Sequence, residues 1–113
     1  MPRLSKIAKD PPAAVEKSLK RLGANIRTAR LRRKLRLEDL AERIGVSRFG
    51  LADAEKGKAT TSIAIYVGAL WALDLLKGLE QVADPDRDNE GKLLEQSRTP
   101  KRADQSRALD NDF

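Results

Sequence analysis

Three features of the 113-residue sequence predict an all-α fold of five helices. Hydrophobic residues make up 40% of the chain and aromatics only 4%, so the core has to be built from Leu, Ile, Val and Ala. Such side chains suit small packed helices better than a sheet. Apolar residues recur at helical spacing through the middle of the chain, and proline, glycine and hydroxyl residues fall where helices are expected to start and stop.

Asp10-Pro11-Pro12 predicts the first start, with Asp10 as the cap acceptor and proline in a turn that needs no intrahelical donor. Val15, Leu19, Leu22, Ile26 and Ala29 then alternate steps of four and three, which is one buried face, and the helix is expected to run to Leu35. Lys17, Lys20, Arg21, Arg27, Arg32 and Arg33 fill much of the solvated remainder. Gly23, in its interior, is expected to weaken it by ~1 kcal/mol relative to Ala. A second helix is predicted from Leu37 to Ile44, with Glu38 and Asp39 in the first turn, where the helix dipole favours acids. Gly45 stops it in the left-handed conformation, Val46 places an apolar side chain in the turn, and Ser47 caps a third helix. In that helix Leu51 and Ala54, with Phe49 or Ala52, are expected to be shielded.

Gly57 closes the third helix, residues 58–62 form a loop, and a strongly apolar fourth helix runs from Ile63 to Leu73, where Asp74 breaks it. Leu75, Leu76, Leu79 and Val82 predict a fifth, amphipathic helix of a turn or two. It is more apolar than so small a core needs, and the surplus points to a dimer interface.

The chain thus divides into a basic arm over 1–10, a folded domain over 11–82 and a charged tail over 83–113. The tail holds too few large apolar side chains to fold alone and is expected to be largely flexible, or ordered by a partner, apart from a short helix around Glu90 to Gln96. Residues 1–82 carry 17 basic against 9 acidic side chains (net +8) and residues 83–113 carry 6 against 8 (net −2), so the positive charge belongs to the arm and the folded domain and not to the tail. A polyanionic partner is expected.

Cysteine and histidine are both absent, which removes disulfides, thiolate nucleophiles, imidazole bases and nearly every transition-metal site. No carboxylate pair sits in an apolar or glycine-rich setting that would shift a pKa. Neither an enzyme nor a cofactor or metal is therefore expected. No apolar run approaches the ~20 residues that cross a bilayer, and Met1 to Lys9 lacks the apolar stretch of a signal peptide. A cytoplasmic chain with no membrane partner is expected.

Leu22-Gly23-x-x-Ile26-Arg27-x-x-Arg30, Leu40-Ala41-Glu42-Arg43-Ile44-Gly45-Val46-Ser47 and Glu55-Lys56-Gly57-Lys58 together resemble the phage-repressor or XRE family of helix-turn-helix proteins. Small Ala41 lets two helices cross closely, Gly45 makes the turn and Val46 plugs the angle between them. The resemblance implies that the helix beginning at Ser47 enters the major groove of double-stranded DNA. Arg48 would then grip guanine O6 and N7, Phe49 would pack on a thymine methyl, and Asp53 would accept from a cytosine amino group. Each has a plainer alternative: a phosphate contact for Arg48, a core or partner-facing position for Phe49, and a surface charge for Asp53. Phosphates would be met by Ser47 and its helix N-terminus, by Lys56 and Lys58, and by Arg27 or Arg36. A structural ion pair of the family maps onto Arg30 and Glu55. The chain departs from the family pattern at Arg36-Leu37, where a Thr or Ser cap and Gln are usual, at Gly50 in place of Thr or Ser, and at Asp74 in place of Gly.

Within that family, the extended N-terminus, the loop over 58–62 and the tail with Pro100-Lys101-Arg102 resemble the HipB-type antitoxins. This narrower resemblance implies a homodimeric repressor that binds a palindromic operator at its own promoter and holds a HipA-like kinase toxin. A stand-alone phage or mobile-element repressor without a toxin is the alternative, and a targeting module such as a recombination accessory factor is a third reading.

Overall fold

The structure, a computed structural model, describes residues 4–98, and the chain divides after Lys77 into two units. The first unit begins with a single turn, α1 (Lys6–Lys9), whose Ser5 hydroxyl accepts from the Ala8 amide. Four longer helices follow: α2 (Ala13–Arg32), α3 (Leu37–Ile44), α4 (Arg48–Glu55) and α5 (Ile63–Ala72). There is no strand among the described residues, so the fold is all-α.

The boundaries of α2 differ from expectation at both ends. Pro12, not Asp10, occupies the cap position, and no side chain caps the helix; Asp10 instead ends α1, donating its amide to Lys6 O at 2.9 Å. Proline at the cap fixes the backbone by its ring and leaves no N–H of its own to satisfy. At the far end α2 stops at Arg32 and does not reach Leu35. Lys34 turns the chain with φ +55°, and the Leu35 amide returns to Arg30 O at 3.2 Å, which brings Leu35 back against the core. A continuing helix would have carried that side chain away from it.

Ile26, Leu40, Leu51 and Leu73, one from each long helix and the last at the end of α5, are almost wholly shielded from solvent. Ala29, Ala41, Ala54 and Ala69 fill the spaces between them and Tyr66 is the one aromatic in the core among the described residues, its hydroxyl donating to Lys58 O at 2.8 Å. The helices therefore approach closely, and Gly23 is the tightest point. A Cβ there would collide with the backbone carbonyl oxygens of Ala54 and Glu55, the latter at 2.6 Å. The residue that looks like a weakness of α2 in the sequence is the one that lets α2 and α4 touch.

After α5 the described chain is helical in short pieces. The amphipathic helix expected over 75–82 is a 3-10 helix, Leu76–Gln81, and not an α-helix. Asp74 takes φ +62° and the Leu75 amide folds back onto Leu70 O at 2.8 Å, so the chain leaves α5 through a turn. A second 3-10 turn, Pro85–Arg87, is capped by Asp84, and α6 (Asn89–Arg98) covers and extends the short helix expected around Glu90 to Gln96. Asp88 accepts from the Gly91 amide at 2.9 Å, and Lys92 donates to Asp86 O at 2.8 Å. The expectations for residues 1–3 and for the tail over 99–113 lie outside the described residues. No helix among the described residues is long and apolar enough to cross a membrane.

Gly23→Ala is expected to destabilise the chain by about 1–3 kcal/mol, because overpacking against backbone outweighs the ~1 kcal/mol gain in helix propensity. Urea unfolding of the two proteins side by side checks this, and a more stable alanine variant would contradict it.

Candidate nucleic-acid interface

The segment from Leu37 to Glu55 is built around one glycine turn. Gly45 ends α3 at φ 75°, a conformation open to glycine without penalty, and the Val46 amide reaches back to Ala41 O at 3.0 Å. Val46 turns half-buried against the core, and the Ser47 hydroxyl accepts from the Gly50 amide at 3.0 Å to start α4. The N–H groups that open a helix have no partner within it. With Gly50 held by Ser47, the amides of Arg48 and Phe49 remain to meet an outside acceptor, and the Ser47 O–H keeps its proton free to donate.

Successive residues of α4 are ~100° apart around its axis. Leu51 and Ala54 point into the core and Glu55 toward α2, so the outward arc is formed by Phe49, Ala52, Asp53 and Lys56, with Arg48 at its leading edge. Phe49 is 70% exposed, so of the two alternatives for the shielded flank of this helix it is Ala52 that is partly shielded. The Arg48 guanidinium lies over its ring, 5.2 Å from the centroid. Ala52 is half-buried and gives this face a shallow floor between the longer side chains.

The far end of α4 is anchored by charge. Arg30 of α2 donates from Nε and Nη2 to the two carboxylate oxygens of Glu55 at 2.7 and 2.9 Å, and from Nη1 to Leu35 O at 3.0 Å. Both side chains are nearly shielded, with 9% and 6% of their surface left. The hydrogen bonds to Glu55 hold the Arg30 pKa above its usual value against the cost of burial.

The remaining predicted site residues are spread around this frame. Asp53 and Lys58, assigned from sequence to a base and to a phosphate, bind each other at 3.2 Å across the turn after α4, with both side chains partly exposed. The loop they join is braced by Tyr66 through Lys58 O, and burial, followed by the Asp53 charge, raises the Tyr66 pKa. Lys56 and Arg27 are exposed. Arg36 stands at the cap of α3, where Asp39 accepts from its amide at 2.9 Å and from its guanidinium at 3.0 and 3.2 Å. The same bonds lower the Asp39 pKa. A self-contained Arg–Asp cap thus replaces the hydroxyl cap and glutamine usual at that position.

Residues 26–67 match the family model HTH_3, helix-turn-helix. This segment is a helix-turn-helix domain. In it α3 and α4 are the paired helices, Gly45 makes the turn, and the match supports a DNA-binding transcription regulator. Searches of curated proteins and of solved structures each returned no match.

Two features escaped the sequence reading. Ile63 and Trp71 on α5 are 74% and 61% exposed, whereas the apolar period of the sequence places the surplus after Asp74. Ile63, Val67 and Trp71 are four apart, and a helix that is apolar on every side cannot hide all of it in a core this small. The mutual pairing of Asp53 and Lys58 carries no signal in the sequence beyond their separation by five residues.

Glu55→Gln leaves the Arg30 charge buried without its partner and is expected to cost about 3–5 kcal/mol of folding stability. Denaturant titration measures it, and a loss below about 1 kcal/mol would show the pair to be dispensable.

Proposed function

We propose that the chain is a homodimeric transcriptional repressor that reads a palindromic DNA operator with the N-terminal turn of α4. One observation carries this reading: within the helix-turn-helix domain, α4 presents Arg48 and an exposed Phe49 beside unpaired backbone amides, on a helix anchored at its other end. Amides at a helix N-terminus favour a phosphate, and a phosphate held there would set the two side chains into the groove. Arg48 takes guanine and Phe49 a thymine methyl. Asp53 would take a cytosine amino group only by giving up Lys58, so it is the least committed of the three. Ser47, Lys56, Lys58, Arg27 and Arg36 serve the phosphates. Lys56 and Arg27 have no carboxylate partner among the described residues, whereas Lys58 and Arg36 would share their charge with Asp53 and Asp39.

A palindrome requires two copies. We assign the dimer contact to the exposed apolar side chains of α5 and the turn that follows it, Ile63, Trp71 and Leu75, together with half-buried Leu76. Leu79 and Val82, also exposed, are the residues of the second unit assigned to it. The finer reading is an antitoxin that represses its own operon and holds a HipA-like kinase toxin. It is supported by the resemblance of the arm, loop and tail to that group, and by Leu93 and Leu94 of α6, which are 65% and 56% exposed and offer apolar surface to a partner.

Arg48→Ala is expected to abolish preference for the operator, at ~1–3 kcal/mol for one base pair, while weak non-specific binding survives. Uniform weakening on every sequence would make Arg48 a phosphate contact instead. Lys56→Ala is expected to reduce the slope of log affinity against log salt by about one unit, and an unchanged slope would remove Lys56 from the interface. Trp71→Ser is expected to shift the chain from dimer to monomer in sedimentation and to weaken operator binding with it. A dimer that withstands this change would place the contact elsewhere.

A further inference from the structure

We infer that Arg48 and Phe49 act as one reader, and that the step they read is a guanine next to a pyrimidine carrying a C5-methyl group, either thymine or 5-methylcytosine. This inference rests on the proposed reading of DNA by α4 and deepens it. Phe49 is an apolar ring left 70% in water on the outward arc of the helix, and it is absent from the core and its surrounding apolar shell. In a major groove otherwise lined by donors and acceptors, the apolar feature that such a ring can cover is the pyrimidine C5-methyl. A cytosine without the methyl offers the ring nothing.

Arg48 supplies the second half. Its guanidinium is not paired with a carboxylate among the described residues, and its one described interaction is with the face of the Phe49 ring. A cation held over the ring face spends no N–H donor on a hydrogen bond, so the donors that meet guanine O6 and N7 stay available. The two groups lie 5.2 Å apart, centre to centre. Bases along a strand are separated by ~3.4 Å, so two readers in contact fall on neighbouring bases and not on bases a half-turn away. The Arg48 contact and the Phe49 contact are therefore expected to appear together as one dinucleotide in each half-site. A cytosine that is methylated at that dinucleotide would present the same surface as thymine, which makes binding responsive to cytosine-5 methylation.

The test uses the full-length protein and the site it selects from a random duplex library. At the guanine-adjacent position, thymine is replaced by deoxyuridine, which removes the methyl and nothing else, and cytosine is compared with 5-methylcytosine in the same context. Losing the methyl is expected to weaken binding about fourfold per half-site, the worth of one buried methyl-sized group, and methylating cytosine is expected to strengthen it by a similar factor. Phe49→Ala, a change at an exposed position, is expected to erase both differences while the guanine preference persists. Equal binding of thymine and deoxyuridine sites by the unaltered protein, or undiminished methyl discrimination by Phe49→Ala, overturns the inference alone. Failure to select any site overturns the DNA-reading function on which it stands.

Discussion

The two hydrogen bonds from Arg30 to Glu55 join the last turn of α2, the longest helix among the described residues, to the end of α4, the helix proposed to read DNA. Arg30 also holds Leu35 O, so one guanidinium ties together α2, the turn into α3 and the last residue of α4. Two turns earlier on α2, Gly23 admits the carbonyl oxygens of Ala54 and Glu55 against the helix backbone. The C-terminal end of α4 is thus fixed by a shape constraint and a charge constraint that demand each other. A bulkier residue at 23 would move Glu55 away from Arg30, and an unpaired Arg30 would be a buried charge without compensation.

Fixing α4 at that end leaves its other end projecting. Ser47 uses its acceptor on Gly50, and the amides and side chains of the first turn then have no further partner among the described residues, apart from the Arg48–Phe49 contact. The same division of labour appears in the flanking charges. Arg36 with Asp39 and Lys58 with Asp53 are local pairs that shape the turns on either side, while Lys56 carries its charge outward. Tyr66, reaching Lys58 O from the core, stiffens the loop that holds these residues in place.

Much of this frame was legible in the sequence, wherever its cause is local. The limits of α3, the left-handed Gly45, the Ser47 cap and the start of α5 follow from residues within a turn of one another. The features that were not legible depend on contacts between elements. α2 stops at Arg32 because Leu35 is drawn back to the core and to Arg30, which the apolar period of α2 alone cannot announce. Gly23 reads as a propensity defect until α4 is set against it. Phe49 and Ala52 are alternatives for the shielded flank of α4 by period alone; with Leu51 and Ala54 filling the space behind the helix, Ala52 is half-buried and Phe49 turns outward. Ile63 and Trp71 are exposed for the same reason: one side of α5 suffices for the core, and only the packed structure says which.

The measurement that bears most directly on the reading face is selection of duplex DNA by the full-length protein from a random library. Enrichment of a two-fold symmetric site, with half-sites about one helical turn (~10 bp) apart and a guanine in each, is the result expected of an α4 that reads bases through Arg48 and Phe49. A pool that gains no common sequence, while binding still falls steeply with salt, would mean that this basic surface holds DNA by its phosphates alone.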